Sequence, residues 1–88
     1  MNEQRKHPRT ELALEVKISH QAMASVVLLT RDISESGVFV VTDGTVLPSV
    51  GSVVEGQVQG EMEDPPLVRM EVVRVEPDGV GLRFLTDD

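Results

Sequence analysis

Two short blocks of this chain carry side chains that could bind a small anionic ligand. In Arg5-Lys6-His7-Pro8-Arg9, Arg5 and Arg9 stand four residues apart. A guanidinium is a rigid fork of N–H donors that pairs with two phosphate oxygens or with O6 and N7 of guanine, and it also stacks on a base. A helical turn would place both on one side, whereas an extended arm needs a bend; Pro8 holds His7 extended, which favours the bend. In Asp32-Ile33-Ser34-Glu35-Ser36-Gly37, an i,i+2 spacing on a strand puts Asp32 and Ser34 on one face while Ile33 enters the core. Asp32 can accept guanine N–H groups or orient an arginine, and Ser34 can donate to phosphate or cap the turn. Gly37 permits positive φ and leaves no Cβ between backbone and a bound ring. Taken singly, each block has a plainer reading: an Asx or Ser turn relieved by Gly37, and a solvated basic tail.

The rest of the chain leaves few other places for chemistry. Eighty-eight residues make one small domain, since a chain of this size cannot support two cores. Without cysteine there is no disulfide framework and no thiolate zinc cluster. Lys and Arg number 8 against 15 Asp and Glu, which argues against a general nucleic-acid or anionic-membrane binder but not against a small anion held locally. Neither a signal peptide nor a membrane-spanning run is legible, so a cytoplasmic location is expected, without membrane insertion. Arg5, Lys6 and Arg9 form the only dense basic patch along the sequence. His7 and His20 lack the partners of a catalytic or metal site. Glu61, Glu63 and Asp64 read as a solvated acidic loop, and Gly79-Val80-Gly81 opens no helix, so it is no phosphate loop. No enzyme activity is expected.

The elements that must position the two blocks are strands. Leu12, Leu14, Val16 and Ile18 alternate with Ala13, Glu15 and Lys17, the period of a half-buried strand. Ser19-His20-Gln21 reads as a turn, and residues 26–30 as a second strand. A third covers residues 37–41 and ends at Asp43-Gly44, a pair that accepts positive φ. After a loop containing Pro48 and Gly51, residues 53–59 alternate, with Val54, Gly56 and Val58 inward; Gly56 marks sheet bending or the close approach of a neighbour. Residues 67–75 form a fifth strand, irregular near Val72-Val73. Pro77-Asp78-Gly79 makes a hairpin, and Val80, Leu82 and Phe84 form the inward row of a sixth strand. No segment has a helical stripe. Six short antiparallel strands are buried by curling into a barrel or by packing as two sheets. The expected division is a flexible arm over residues 1–9 and a single domain over 10–88.

With these motifs in place, the chain resembles the PilZ domain family, bacterial receptor modules for the second messenger cyclic di-GMP. Arg5-Lys6-His7-Pro8-Arg9 matches the family's arginine, three residues, arginine motif. Asp32-Ile33-Ser34-Glu35-Ser36-Gly37 matches its Asp or Asn, any, Ser, any two, Gly motif. The separation of roughly twenty residues, the Gly51 turn, Val72-Val73-Arg74-Val75 and Gly79-Val80-Gly81-Leu82-Arg83-Phe84 extend the likeness over nearly the whole chain.

The resemblance implies an all-β, six-stranded antiparallel barrel with the ligand on its outside. Arg5 and Arg9 would contact phosphates and guanine, Asp32 and Ser34 would project from the barrel, and Gly37 would give close backbone approach. The implied ligand is cyclic di-GMP; from charge and residue types, no cofactor, no metal and no DNA or RNA are expected. Gln4 precedes the first arginine where an additional cation would favour a stacked pair of ligands. Only Leu85-Thr86-Asp87-Asp88 follows the last strand, so output is expected through a protein partner or through ordering of the arm. The alternative is a nucleotide-independent protein-interaction domain of the same fold.

Overall fold

The computed structural model describes residues 13–21, 23–60 and 64–85. Arg5, Arg9 and the rest of the expected arm lie outside the described residues. Six strands form in chain order: β1 (Glu15–His20), β2 (Met23–Ile33), β3 (Gly37–Val41), β4 (Val53–Val58), β5 (Val68–Glu76) and β6 (Gly79–Phe84). They pair in the order β1-β2-β3-β6-β5-β4, and β1 also pairs with β4, so the sheet closes. All pairings are antiparallel. Closure decides between the two packings left open by the sequence, because a barrel has no edge strands to protect.

Alternation builds the interior. Val16, Ile18, Leu28, Val38, Val40, Val54, Met70, Val72, Val80 and Leu82 form one core, in which Ile18, Val40 and Val72 are wholly inaccessible to solvent. Gly56 also faces inward, and a Cβ there would collide with the Met70 methyl; close approach is therefore its reason. Thr30 is the buried polar residue at one end of β2. Its hydroxyl accepts from the Leu14 amide at 3.0 Å, and its own amide donates to the Leu14 carbonyl at 2.8 Å. This pair fixes where the chain enters the barrel.

Two expectations are corrected. β2 is eleven residues long rather than the five of residues 26–30, and Ser19 and His20 belong to β1 rather than to a turn. His20 pairs with Met23, and Ser19 and Ser25 share a hydroxyl contact at 3.3 Å. The extension has polar and small residues on its wet face, which mask the apolar period. The expected turns do form: Asp43 and Gly44 have φ of 48° and 88°, and Pro77 and Asp78 join β5 to β6.

Candidate functional site

Strand pairing slips at three places, and two of them, where β2 meets β3 and where β5 meets β6, face the same stretch of outer surface. In β2, pairing with β3 slips between Thr30 and Asp32, so that Thr30 opposes Val40 and Asp32 opposes Phe39. In β5, Val72 opposes Leu82 and Arg74 opposes Gly81. Each slip is a bulge in which two residues face one, sending consecutive side chains outward. Phe39 and Gly81 are themselves cross-strand partners. A single row therefore runs across four strands: Arg31 and Asp32, then Phe39, Gly81, and finally Val73 and Arg74.

Phe39 is the floor of this row. It lies between the core residues Val38 and Val40, so its ring points to the outer face, yet it is only 3% exposed. The ring packs on Gly79, where a Cβ would overlap it. Arg31 covers it with Cζ 3.9 Å from the ring centroid, and Arg74 stands 5.7 Å away, both within cation–π range. Arg74 lies over Gly81, its Cζ 3.6 Å from where a Cβ would sit, which is ordinary contact distance.

The predicted block adjoins this floor. Asp32, Ser34 and Gly37 line one open depression of about 300 Å³ together with Phe39, Val73, Arg74 and Arg83. Ser34 closes the connection from β2 to β3, its amide donating to the Gly37 carbonyl at 2.9 Å. The Ser36 amide donates to the Ser34 hydroxyl at 3.3 Å, and the two serine hydroxyls are 3.1 Å apart. The turn-capping role thus operates, and the turn is tied to β6 by the Phe84 amide donating to the Ser36 carbonyl at 2.9 Å.

Gly37 needs a different explanation from the one its motif suggests. Positive φ among glycines occurs at Gly44, Gly51 and Gly60, not at Gly37. A Cβ at position 37 would instead strike the Leu82 carbonyl oxygen, with Arg83 Cα 3.2 Å away. Glycine lets β3 and β6 approach beside the depression.

The face also gathers cations that are scattered in sequence. Arg31 lies 3.3 Å from Asp78 and 3.9 Å from Asp32, Arg74 lies 2.7 Å from Glu76, and Arg83 pairs with Glu71. Their side chains are about half exposed, and exposed ion pairs are worth only about 0–1 kcal/mol. An incoming anion can take over these guanidinium groups at small cost. Sequence reading missed Arg31, Arg74 and the role of Phe39. The available signal is loss of alternation, legible at Val72-Val73 but masked by charge at Arg31-Asp32.

Among the described residues, no group of three or more His, Cys, Asp or Glu could hold a metal ion. No helix among them is long and apolar enough to cross a membrane.

The chain is a small closed barrel with an arginine-lined depression on its outer wall, and the family it matches is one of non-catalytic receptor and adaptor domains. The PilZ domain family model matches residues 3–88, and the chain belongs to that family. Its fold is similar to that of the Bacillus subtilis inhibitor of motility, MotI/DgrA, with a TM-score of 0.74 and 19% identity; the match covers 99% of this chain and 44% of that one. It is also similar to the PilZ domain of CeSA from a cellulose-synthesizing bacterium, with a TM-score of 0.73 and 15% identity, over 92% of this chain and 83% of that one. Comparison with curated proteins gives no match.

Proposed function

We propose that this domain is a cytoplasmic receptor for cyclic di-GMP whose output passes to a protein partner. The observation that carries the reading is the convergence of Asp32, Ser34 and Gly37 on one depression with Arg74 and Arg83. Asp32 accepts N–H groups from a guanine edge, the serine turn holds that carboxylate in register, and Arg5 and Arg9 supply phosphate and base contacts from the preceding segment. Arrival of a dianion draws residues 1–9 onto the outer face, because Arg5, Lys6 and Arg9 carry the opposite charge. The newly covered surface is what a partner reads.

Titration calorimetry of the full chain with cyclic di-GMP tests this. Saturable micromolar binding is expected, with losses on the order of tenfold or more for Arg9→Ala and Asp32→Ala, the scale of a charge-assisted hydrogen bond. No saturable binding by the natural chain would overturn the receptor reading and leave the nucleotide-independent interaction domain.

A further inference from the structure

The β2 bulge turns Arg31 outward as well as Asp32, opposite the same ring. The guanidinium carbon stands 3.9 Å above the Phe39 centroid, which is stacking distance. Two carboxylates hold its edge. Nη1 donates to Asp78 Oδ2 at 3.3 Å, and Nε stands 3.9 Å from Asp32 Oδ2. Asp78 is itself anchored, since the Thr42 amide donates to its carbonyl at 3.2 Å. One face of the guanidinium is thus covered by a ring and its edge is engaged, while the side chain remains 45% exposed. A guanidinium plane is weakly hydrated and stacks readily on flat π systems, so its open face suits a nucleobase.

We infer that Arg31 is a ligand-binding residue, forming with Phe39 a preassembled platform on which one guanine of the ligand stacks while Asp32 meets that base's edge and reads its identity. This rests on the cyclic di-GMP reading above and adds a contact that comes from the barrel wall. Guanine carries N1–H and N2–H donors side by side, which a carboxylate accepts together; adenine places an acceptor, N1, beside its amino group. Face and edge of one base are therefore read by two consecutive residues. The bulge is what makes this possible, because regular alternation would send one of them inward. Asp78 acts as a positioning residue that keeps the guanidinium flat before ligand arrives.

The test uses the full chain and three variants, Arg31→Ala, Arg31→Lys and Asp78→Asn, titrated with cyclic di-GMP and cyclic di-AMP. A nitrogen–proton correlation spectrum of each variant checks that the barrel is intact. Removing a stacking partner is expected to weaken cyclic di-GMP binding on the order of tenfold or more. Arg31→Lys is expected to be nearly as weak, since it keeps the charge but loses the plane, and Asp78→Asn is expected to lose a few-fold. In the natural complex the Arg31 Hε signal moves upfield under the base's ring current, and Arg31→Ala loses affinity while keeping the preference for guanine over adenine that Asp32 reads. Full affinity in Arg31→Lys, or an unmoved Hε signal, would overturn the platform and leave Arg31 as a point charge. If the natural chain binds and Arg31→Ala binds within twofold of it, the platform alone fails. If the natural chain does not bind, the receptor reading fails with it.

Discussion

The two faces of the same strands obey different rules. Along the inner face of β2, β3, β5 and β6, alternation places Leu28, Val40, Val72 and Val80 in a dry core. Along the outer face the alternation breaks at Arg31-Asp32 and at Val73-Arg74, and the candidate site residues gather between these two breaks. The inner face is built for closure and gains from regularity. The outer face uses irregularity to crowd four side chains over one phenylalanine and one glycine.

The bulges themselves differ. The β2 bulge presents two opposite charges over an aromatic ring, whereas the β5 bulge presents one apolar and one cationic side chain over bare backbone at Gly81. The first has the makings of a recognition edge and the second those of a shelf. Because the ion pairs on both are exposed, neither contributes much to holding the barrel together.

That contrast can be broken by substitution, beginning with the largest effect. Ile18→Ala on the inner face is expected to cost about 2–5 kcal/mol, as for other buried aliphatic truncations, measured as a lower urea midpoint, while the folded fraction binds ligand unchanged. Gly37→Ala crosses the division, because its new Cβ meets β6 backbone that cannot rotate away. Overpacking of this kind costs about 1–3 kcal/mol, and cyclic di-GMP affinity in calorimetry should fall with it. A retained urea midpoint would mean that β3 and β6 can separate without penalty.

Smaller effects sharpen the outer face. Phe39→Leu removes the buried ring under Arg31, and the expected loss exceeds the ~0.5–1 kcal/mol of a cation–π contact alone, because truncating a buried ring also leaves a gap; it is read from thermal denaturation. Glu76→Gln releases Arg74 from its partner and should change stability by less than about 1 kcal/mol. The same variant should bind cyclic di-GMP a few-fold more tightly in calorimetry, since the guanidinium no longer exchanges one carboxylate for another anion.

Much of this architecture was legible in the residues. Val54, Gly56 and Val58 point inward as their period implies, Asp43-Gly44 turns as its φ preference implies, and the interruption at Val72-Val73 is a real bulge. The matching bulge at Arg31-Asp32 was not legible, because a charged pair after Thr30 looks like the end of a strand. Nor was the length of β2, whose Met23, Ala24 and Ser25 carry no apolar alternation and are held by pairing with β1. Asp32, Ser34 and Gly37 were brought together by proximity in sequence, so their grouping was foreseeable. Phe39, Arg74 and Arg83 join them only through strand pairing across β3, β6 and β5, which no local pattern encodes. Gly37 shows the same limit: its motif suggests positive φ, while the reason for glycine is the Leu82 carbonyl, 45 residues further along.

Reception of cyclic di-GMP on the wall formed by β2, β3, β6 and β5 has a direct spectroscopic consequence. A nitrogen–proton NMR titration of the full chain with cyclic di-GMP tests it most directly. Shifts are expected to concentrate in residues 5–9, 31–39, 73–75 and 79–83, with the opposite wall of β1 and β4 almost still. An unchanged spectrum, or shifts centred on residues 16–20 and 53–57, would contradict it.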